Sequence, residues 1–137
     1  MKSLSILFFV LLSVSCADEE SNTPGKPIDD TFDPTGMGVT LLRTGTLVGV
    51  GHAVSGTVNV YDDAGKKIVV LDPISSQNGP DLKVYLSTDE KATKYVNLGE
   101  LKSTTGKQSY EIEGMPDLNE YKFVLVWCRE FLCYSEG

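Results

Sequence analysis

Strict alternation of apolar and polar residues over residues 54–61 is the feature that most constrains how this chain folds. The apolar side chains that share one side of this segment are those of Val54, Val58 and Val60. A period of two is typical of a β-strand that is buried on one face only. Turn-forming residues at 62–65 (DDAG) and a second apolar segment at 67–71 follow directly. The sequence therefore predicts a β-hairpin at this point.

The rest of the body repeats this pattern of short strands. Alternate apolar residues predict further inward-facing side chains at Leu82, Val84, Leu86, Tyr110 and Ile112. Residues 91–98 form a weaker candidate strand, and residues 121–128 form the most apolar one. No segment of ten or more residues in the body shows the 3.6-residue apolar period of a helix. The prediction is an all-β fold, a single antiparallel β-sandwich or barrel-like domain over residues 37–137.

The N-terminus has the pattern of an export signal. A positive start at Lys2 precedes an apolar run over residues 4–14, which is too short for a membrane span of about 20 residues. The cysteine that ends it, Cys16, resembles the lipidation site of bacterial lipoproteins, although Ser13 stands where that motif usually has leucine. We expect a lipoprotein signal peptide at 1–15 and a lipid on Cys16. The alternative is an ordinary secretory leader that ends near a cysteine.

Residues 16–36 predict a flexible acidic tether, because prolines recur and few apolar groups are available for burial. The acidic residues 18–20 resemble a tag that sends some Gram-negative lipoproteins to the cell surface; the alternative is a solvated linker. The protein is thus expected to be exported and lipid-anchored to the cell envelope, at the outer membrane and exposed at the surface. The aspartates at 29, 30 and 33 match no calcium-binding loop.

Charge and motifs exclude several functions. The formal net charge of −7 disfavours nucleic acid as a partner. The sequence has no nucleophile elbow, phosphate-binding loop, dinucleotide fingerprint or covalent haem-attachment motif. One histidine and two cysteines in the body are too few to predict a zinc site. No catalytic or metal-binding residue is predicted, and a non-enzymatic role is favoured.

Five segments, in order, resemble the DM-thirteen domain of Skeletor-type cell-surface proteins. They lie within residues 40–134 and are 51–56 (GHAVSG), 78–82 (NGPDL), 95–101 (YVNLGEL), 106–112 (GKQSYEI) and 121–131, centred on Trp127-Cys128. The resemblance implies a β-rich extracellular domain that acts in electron transfer or oxidative modification. It also implies a membrane cytochrome or other redox protein as a partner. The cysteine of the Trp-Cys pair, here Cys128, would be the redox or cofactor-binding residue.

The resemblance leaves the cofactor open, with haem as a candidate. The side chains that could ligate its iron are His52, Cys128, Met37 and Met115, of which His52 and Cys128 are preferred. The simpler interpretation of His52 is a hydrogen-bonded residue at a strand end.

Cys128 has several interpretations. Both faces of the strand at 121–128 are apolar, which predicts a central strand and makes Cys128 a candidate core residue of low reactivity. Export to an oxidising compartment predicts instead a disulfide between Cys128 and Cys133, which needs a turn or a β-bulge at residues 129–130. A dithiol that cycles with this disulfide is a third interpretation. The alternative to a redox role is a non-enzymatic binding or adhesion module on a lipid anchor.

Overall fold

The computed structural model describes residues 23–128 and 134–136, and these residues form nine β-strands. In chain order the strands are β1 (Ile28–Asp29), β2 (Val39–Val50), β3 (Val54–Asp63), β4 (Lys66–Ser76), β5 (Leu82–Ser87), β6 (Tyr95–Glu100), β7 (Thr105–Glu111), β8 (Phe123–Cys128) and β9 (Tyr134–Glu136). Within this described part of the chain, no helix is long and apolar enough to cross a membrane.

The strands form two sheets that pack face to face. The larger sheet has six strands in the order β1-β7-β4-β3-β2-β9, and the smaller has three in the order β6-β5-β8. All pairs are antiparallel except β1 with β7. The predicted all-β sandwich is confirmed.

The alternating residues fill the space between the sheets. The core contains the predicted inward-facing residues of both sheets, namely Val54, Val58, Val60, Leu82, Val84, Leu86, Tyr110 and Ile112. Full burial of a valine or leucine side chain contributes about 1.5–3 kcal/mol, so this alternation is the main driving force for the fold.

The predicted hairpin is the β3–β4 turn. Ala64 and Gly65 both have positive φ (51° and 92°), as a two-residue turn that follows the twist of the strands requires. The Asp62 carboxylate accepts a hydrogen bond from the backbone N–H of Gly65 at 2.9 Å. The position and residues of this turn are as the sequence predicts.

The prediction that residues 121–128 form a central strand is wrong. Strand β8 lies at the edge of the three-stranded sheet, and β5 is the central strand. Both faces of β8 are nevertheless buried, since Val126 on one face and Leu125 on the other are fully enclosed. Apolar residues on both faces of β8 therefore predicted correctly that the strand is buried, but not whether it is central or at the edge of its sheet.

A buried hydrogen-bond network fixes the link between β6 and β7, where the chain passes from the small sheet to the large one. Gln108 is fully buried on β7. Its Oε1 accepts hydrogen bonds from the Tyr110 hydroxyl at 2.6 Å and the backbone N–H of Lys102 at 3.0 Å. Its Nε2 donates to the carbonyl of Ser103 at 2.8 Å. Since Lys102 and Ser103 lie in the link, the network ties the two sheets together.

The second half of the predicted tether contributes a strand to the fold. Ile28 and Asp29 pair in parallel with Gly106 and Lys107 at the edge of the large sheet. The approach is close, because a Cβ atom on Gly106 would lie 2.6 Å from the carbonyl oxygen of Ile28. An edge strand tolerates flanking prolines, which explains how this proline-containing segment can pair. Residues 16–22 lie outside the described residues.

Asp30 fastens this edge strand to β7. Its Oδ2 accepts a hydrogen bond from the backbone N–H of Ser109 and lies 3.0 Å from the Lys102 ammonium. Partial burial acts to raise the pKa of Asp30, but the hydrogen bond from Ser109 and the contact with Lys102 outweigh it and lower the pKa from 3.8 to about 2. The ionised carboxylate is therefore favoured by the folded state.

We predict that Asp30→Asn lowers the free energy of unfolding at neutral pH by about 1–2 kcal/mol, a value reduced for the partial exposure of Lys102. Because the folded-state pKa is depressed, this contribution is present above the unfolded value of 3.8 and is lost as pH falls towards 2. Urea unfolding followed by circular dichroism measures the difference across this range. Glu113→Gln, at an exposed position, is the control. A deficit that does not shrink below pH 4 would contradict the assignment.

Candidate functional site at the Cys128 end of the sandwich

Cys128 lies at the end of β8 and is enclosed by protein. Its side chain belongs to the core between the sheets, the residue is only 2% exposed, and it is a free thiol. The Sγ atom donates a hydrogen bond to the backbone carbonyl of Pro80 at 3.2 Å. The candidate redox residue is therefore a thiol that solvent does not reach directly.

The segment at residues 78–82 forms the wall over this thiol. A Cβ atom added to Gly79 would lie in van der Waals contact with the Cys128 Sγ at 3.4 Å, so the backbone at Gly79 passes close to the sulfur. Asn78 shapes the segment, since its Oδ1 accepts from the N–H of Gly79 and its Nδ2 donates to the carbonyl of Thr23, both at 2.9 Å. Residues 78–82 and 121–131, two of the five segments that carry the family resemblance, thus meet at the sulfur atom.

His52 lies at the same end of the sandwich, in the link between β2 and β3. It is partly exposed and lines a cavity of about 410 Å³ together with Ser75, Ser76 and Gln77. The neighbouring Ala53 carbonyl accepts a hydrogen bond from the N–H of Gln77 at 2.7 Å. His52 is thus adjacent to a residue that is hydrogen-bonded to Gln77, directly before the segment that covers Cys128, but none of the contacts among the described residues joins the side chains of His52 and Cys128.

Two predicted cysteine sites, Cys16 and Cys133, lie outside the described residues. The disulfide between Cys128 and Cys133 therefore stays a prediction. Strand β9 starts at Tyr134, which pairs with Val50 in the large sheet, whereas β8 belongs to the small sheet. The chain thus returns near the β2–β3 link just after Cys133.

Three aromatic rings from three strands stack on the outer face of the small sheet. The ring of Tyr85 lies with its centroid 4.1 Å from that of Tyr95 and 6.0 Å from that of Trp127, and both pairs are close to parallel. Tyr85 is buried, whereas Tyr95 is 47% exposed. The stack connects an exposed ring with the residue that precedes Cys128.

The arrangement does not fit haem. Cys128 is enclosed in the core, so an iron ligand would have to reach its sulfur through the protein, and the cavity beside His52 is lined by three serines and Gln77 together with Gly49, Ala53 and Val54. Met37 and Met115 are exposed on the surface. Among the described residues, no three histidine, cysteine or acidic side chains group as metal ligands would. What this site offers chemically is a sheltered thiol on the inner face of β8 and an aromatic stack on the outer face.

Sequence reasoning missed the wall over the sulfur and the aromatic stack. Pro80 and Cys128 are 48 residues apart, so no local pattern reports their contact. Tyr85 and Trp127 do fall opposite the inward-facing residues of their strands, which places them on outer faces. Only the pairing of β5 with β6 and β8 brings the three rings onto one face.

Comparison with known proteins finds one family. The family model described as Electron transfer DM13 matches residues 46–133, more than half of the chain. The matched region includes His52, Cys128 and Cys133. No curated protein and no solved structure matches the chain.

We predict that Cys128 of the reduced, folded protein is alkylated at least about tenfold more slowly than in urea, because only a local opening exposes its sulfur. Peptide mass spectrometry follows modification at Cys128 itself. A cysteine introduced by Ser55→Cys, at an exposed position of β3, is the control and should react at similar rates in both conditions. Equally fast alkylation of Cys128 with and without urea would show that the wall over the thiol is open.

Proposed function

The chain belongs to the Electron transfer DM13 family, and from that membership we propose that its domain passes electrons through the thiol of Cys128 at the cell envelope. The family description indicates electron transfer as the general activity. The specific proposal is that Cys128 is the redox-active residue, that Cys133 is its partner within the chain, and that the domain acts at the cell envelope.

The enclosure of Cys128 is the observation that carries the proposal. A free thiol held by the Pro80 carbonyl, in a place that solvent does not reach, is protected from direct attack by a thiol of another protein. Thiol–disulfide exchange needs a thiolate in line with the sulfur under attack. A cysteine of the same chain can approach the enclosed sulfur in line more readily than a thiol of another molecule can. Cys133 is the candidate because it is only five residues away.

The proposed reaction is the two-electron oxidation of Cys128 and Cys133. The two S–H bonds break, one S–S bond forms, two protons pass to water, and two electrons pass to a membrane cytochrome or other redox protein. The reverse reaction reduces the disulfide. No haem is needed within the domain.

The aromatic stack supports a route for these electrons. Trp127 precedes Cys128, and its stacking with Tyr85 leads to the exposed ring of Tyr95. A redox partner that docks over Tyr95 would be joined to the thiol region through rings in contact. The proposed docking surface for the partner is therefore the outer face of the small sheet around Tyr95.

We further propose that the protein is a lipoprotein of the outer membrane, exposed at the surface and held by a lipid on Cys16. The short apolar leader and the cysteine that ends it support this location. Such an anchor would keep the domain close to a membrane cytochrome.

We predict that Cys128 and Cys133 form a reversible disulfide with a reduction potential between about −180 and −270 mV, the range of redox-active protein disulfides. Equilibration of the exported protein with glutathione buffers, followed by acid quenching and mass spectrometry, measures it. Cys128→Ser and Cys133→Ser should each abolish the transition.

Two results of this titration would reject the redox proposal. One is a protein that keeps two free thiols under every oxidising condition. The other is a disulfide with a potential below about −300 mV, which is typical of a structural bond. In either case the alternative, a non-enzymatic binding or adhesion module, becomes the preferred function.

We predict that the mature N-terminal peptide, isolated from a Gram-negative host, begins at Cys16 and carries lipid. Mass spectrometry of this peptide gives both its first residue and its added mass. Cys16→Ser should abolish the added mass and release the protein from the membrane fraction. An unmodified mature N-terminus at any other residue would refute the lipid anchor.

A further inference from the structure

A second cavity lies on the side of the sandwich, away from the end that holds Cys128. It has a volume of about 370 Å³, within the range of about 300–1,000 Å³ found for small-molecule sites. It lies between strands β2 and β3 on one side and residues 118–124 on the other. It exists because the three-stranded sheet is narrower than the six-stranded one, and its edge strand β8 leaves the inner face of β2 partly uncovered.

The floor of this cavity is apolar. Val58, Val60 and Val124 are core residues whose side chains also line the cavity, and Leu118 and Tyr121 add partly buried walls. Because the three valines are at most 5% exposed, a ligand would remove apolar surface from water mainly at Leu118 and Tyr121, at about 25 cal/mol for each Å². The floor therefore favours a ligand with an apolar body.

The rim of the cavity is cationic, although the chain as a whole carries a formal charge of −7. Arg43 and Lys122 line it, and none of the described residues that line it is acidic. Within the described residues neither cation forms an ion pair with a carboxylate. Arg43 is held in place by a hydrogen bond from its Nη2 to the Oδ1 of Asn119 at 2.9 Å.

A β-bulge brings Arg43 to this rim. The register of β2 against β3 shifts between Leu41 and Arg43, so that Leu42 is an extra residue in the pair. A bulge redirects the side chains that follow it, and bulges are common beside binding sites. The arginine thus lies over an apolar floor and keeps most of its guanidinium donors available.

From this arrangement we infer that the cavity between β2, β3 and residues 118–124 binds a small soluble carboxylate with an apolar body. The apolar part lies on the three valines, and the carboxylate accepts hydrogen bonds from Arg43, whose planar donors match two carboxylate oxygens. Lys122 adds a second positive charge. This site is separate from Cys128 and independent of the electron-transfer proposal.

Titration calorimetry with decanoate and its neutral analogue decanamide tests the inference on the full-length chain. Decanoate should bind with one-to-one stoichiometry and more tightly than decanamide, and added salt should weaken it. Arg43→Gln and Lys122→Gln should each reduce its affinity about two- to fivefold, as expected for partly exposed charge pairs. Neither substitution should change the affinity for decanamide.

Lys66→Gln is the matched control. Lys66 is an exposed lysine directly after the β3–β4 turn, and it lines no part of this cavity. This variant should bind decanoate as the wild type does. Three outcomes would overturn the inference: no saturable binding of decanoate, equal affinity for decanoate and decanamide, or an equal loss of affinity in all three variants. Circular dichroism of each variant separates lost binding from lost folding.

Discussion

The buried amide of Gln108 is the constraint on which much of this structure depends. A buried polar group without partners costs about 1–3 kcal/mol, and here both ends of the amide are satisfied by the link between β6 and β7. The same link reaches the N-terminal segment, since the Ser103 hydroxyl donates to the carbonyl of Lys26 at 2.6 Å. Burial also raises the pKa of the Tyr110 phenol, which keeps its proton on the bond to Gln108.

With the two sheets fixed in this way, the links at one end of the sandwich and the unequal widths of the sheets along one side determine where sites form. At one end, the links β2–β3 and β4–β5 meet, and the second of them closes over Cys128. Along the open side, the narrow sheet leaves a cavity under Arg43. The accessible cavity is therefore a consequence of the mismatch between six strands and three, whereas the thiol is sheltered by the β4–β5 link.

Local patterns predicted the strands and their buried faces, because the alternation of residues such as Val58 and Val84 records burial directly. Sheet order was not predictable in this way. The edge position of β8 depends on pairing with β5, some 40 residues earlier, and Ile28–Asp29 is too short to show any period. The family resemblance identified Cys128, but the residue that accepts its hydrogen bond, Pro80, follows only from the folded chain.

The single tryptophan of the chain, Trp127, has a consequence for the study of this protein. It is the residue next to Cys128, and its ring stacks on Tyr85 in a partly buried position. Indole emission depends on the immediate surroundings of the ring, so this signal reports on the outer face of the small sheet, and no other residue of the chain contributes indole emission. The domain therefore contains its own optical reporter for the surface around Tyr85 and Tyr95, on the opposite face of β8 from the Cys128 sulfur.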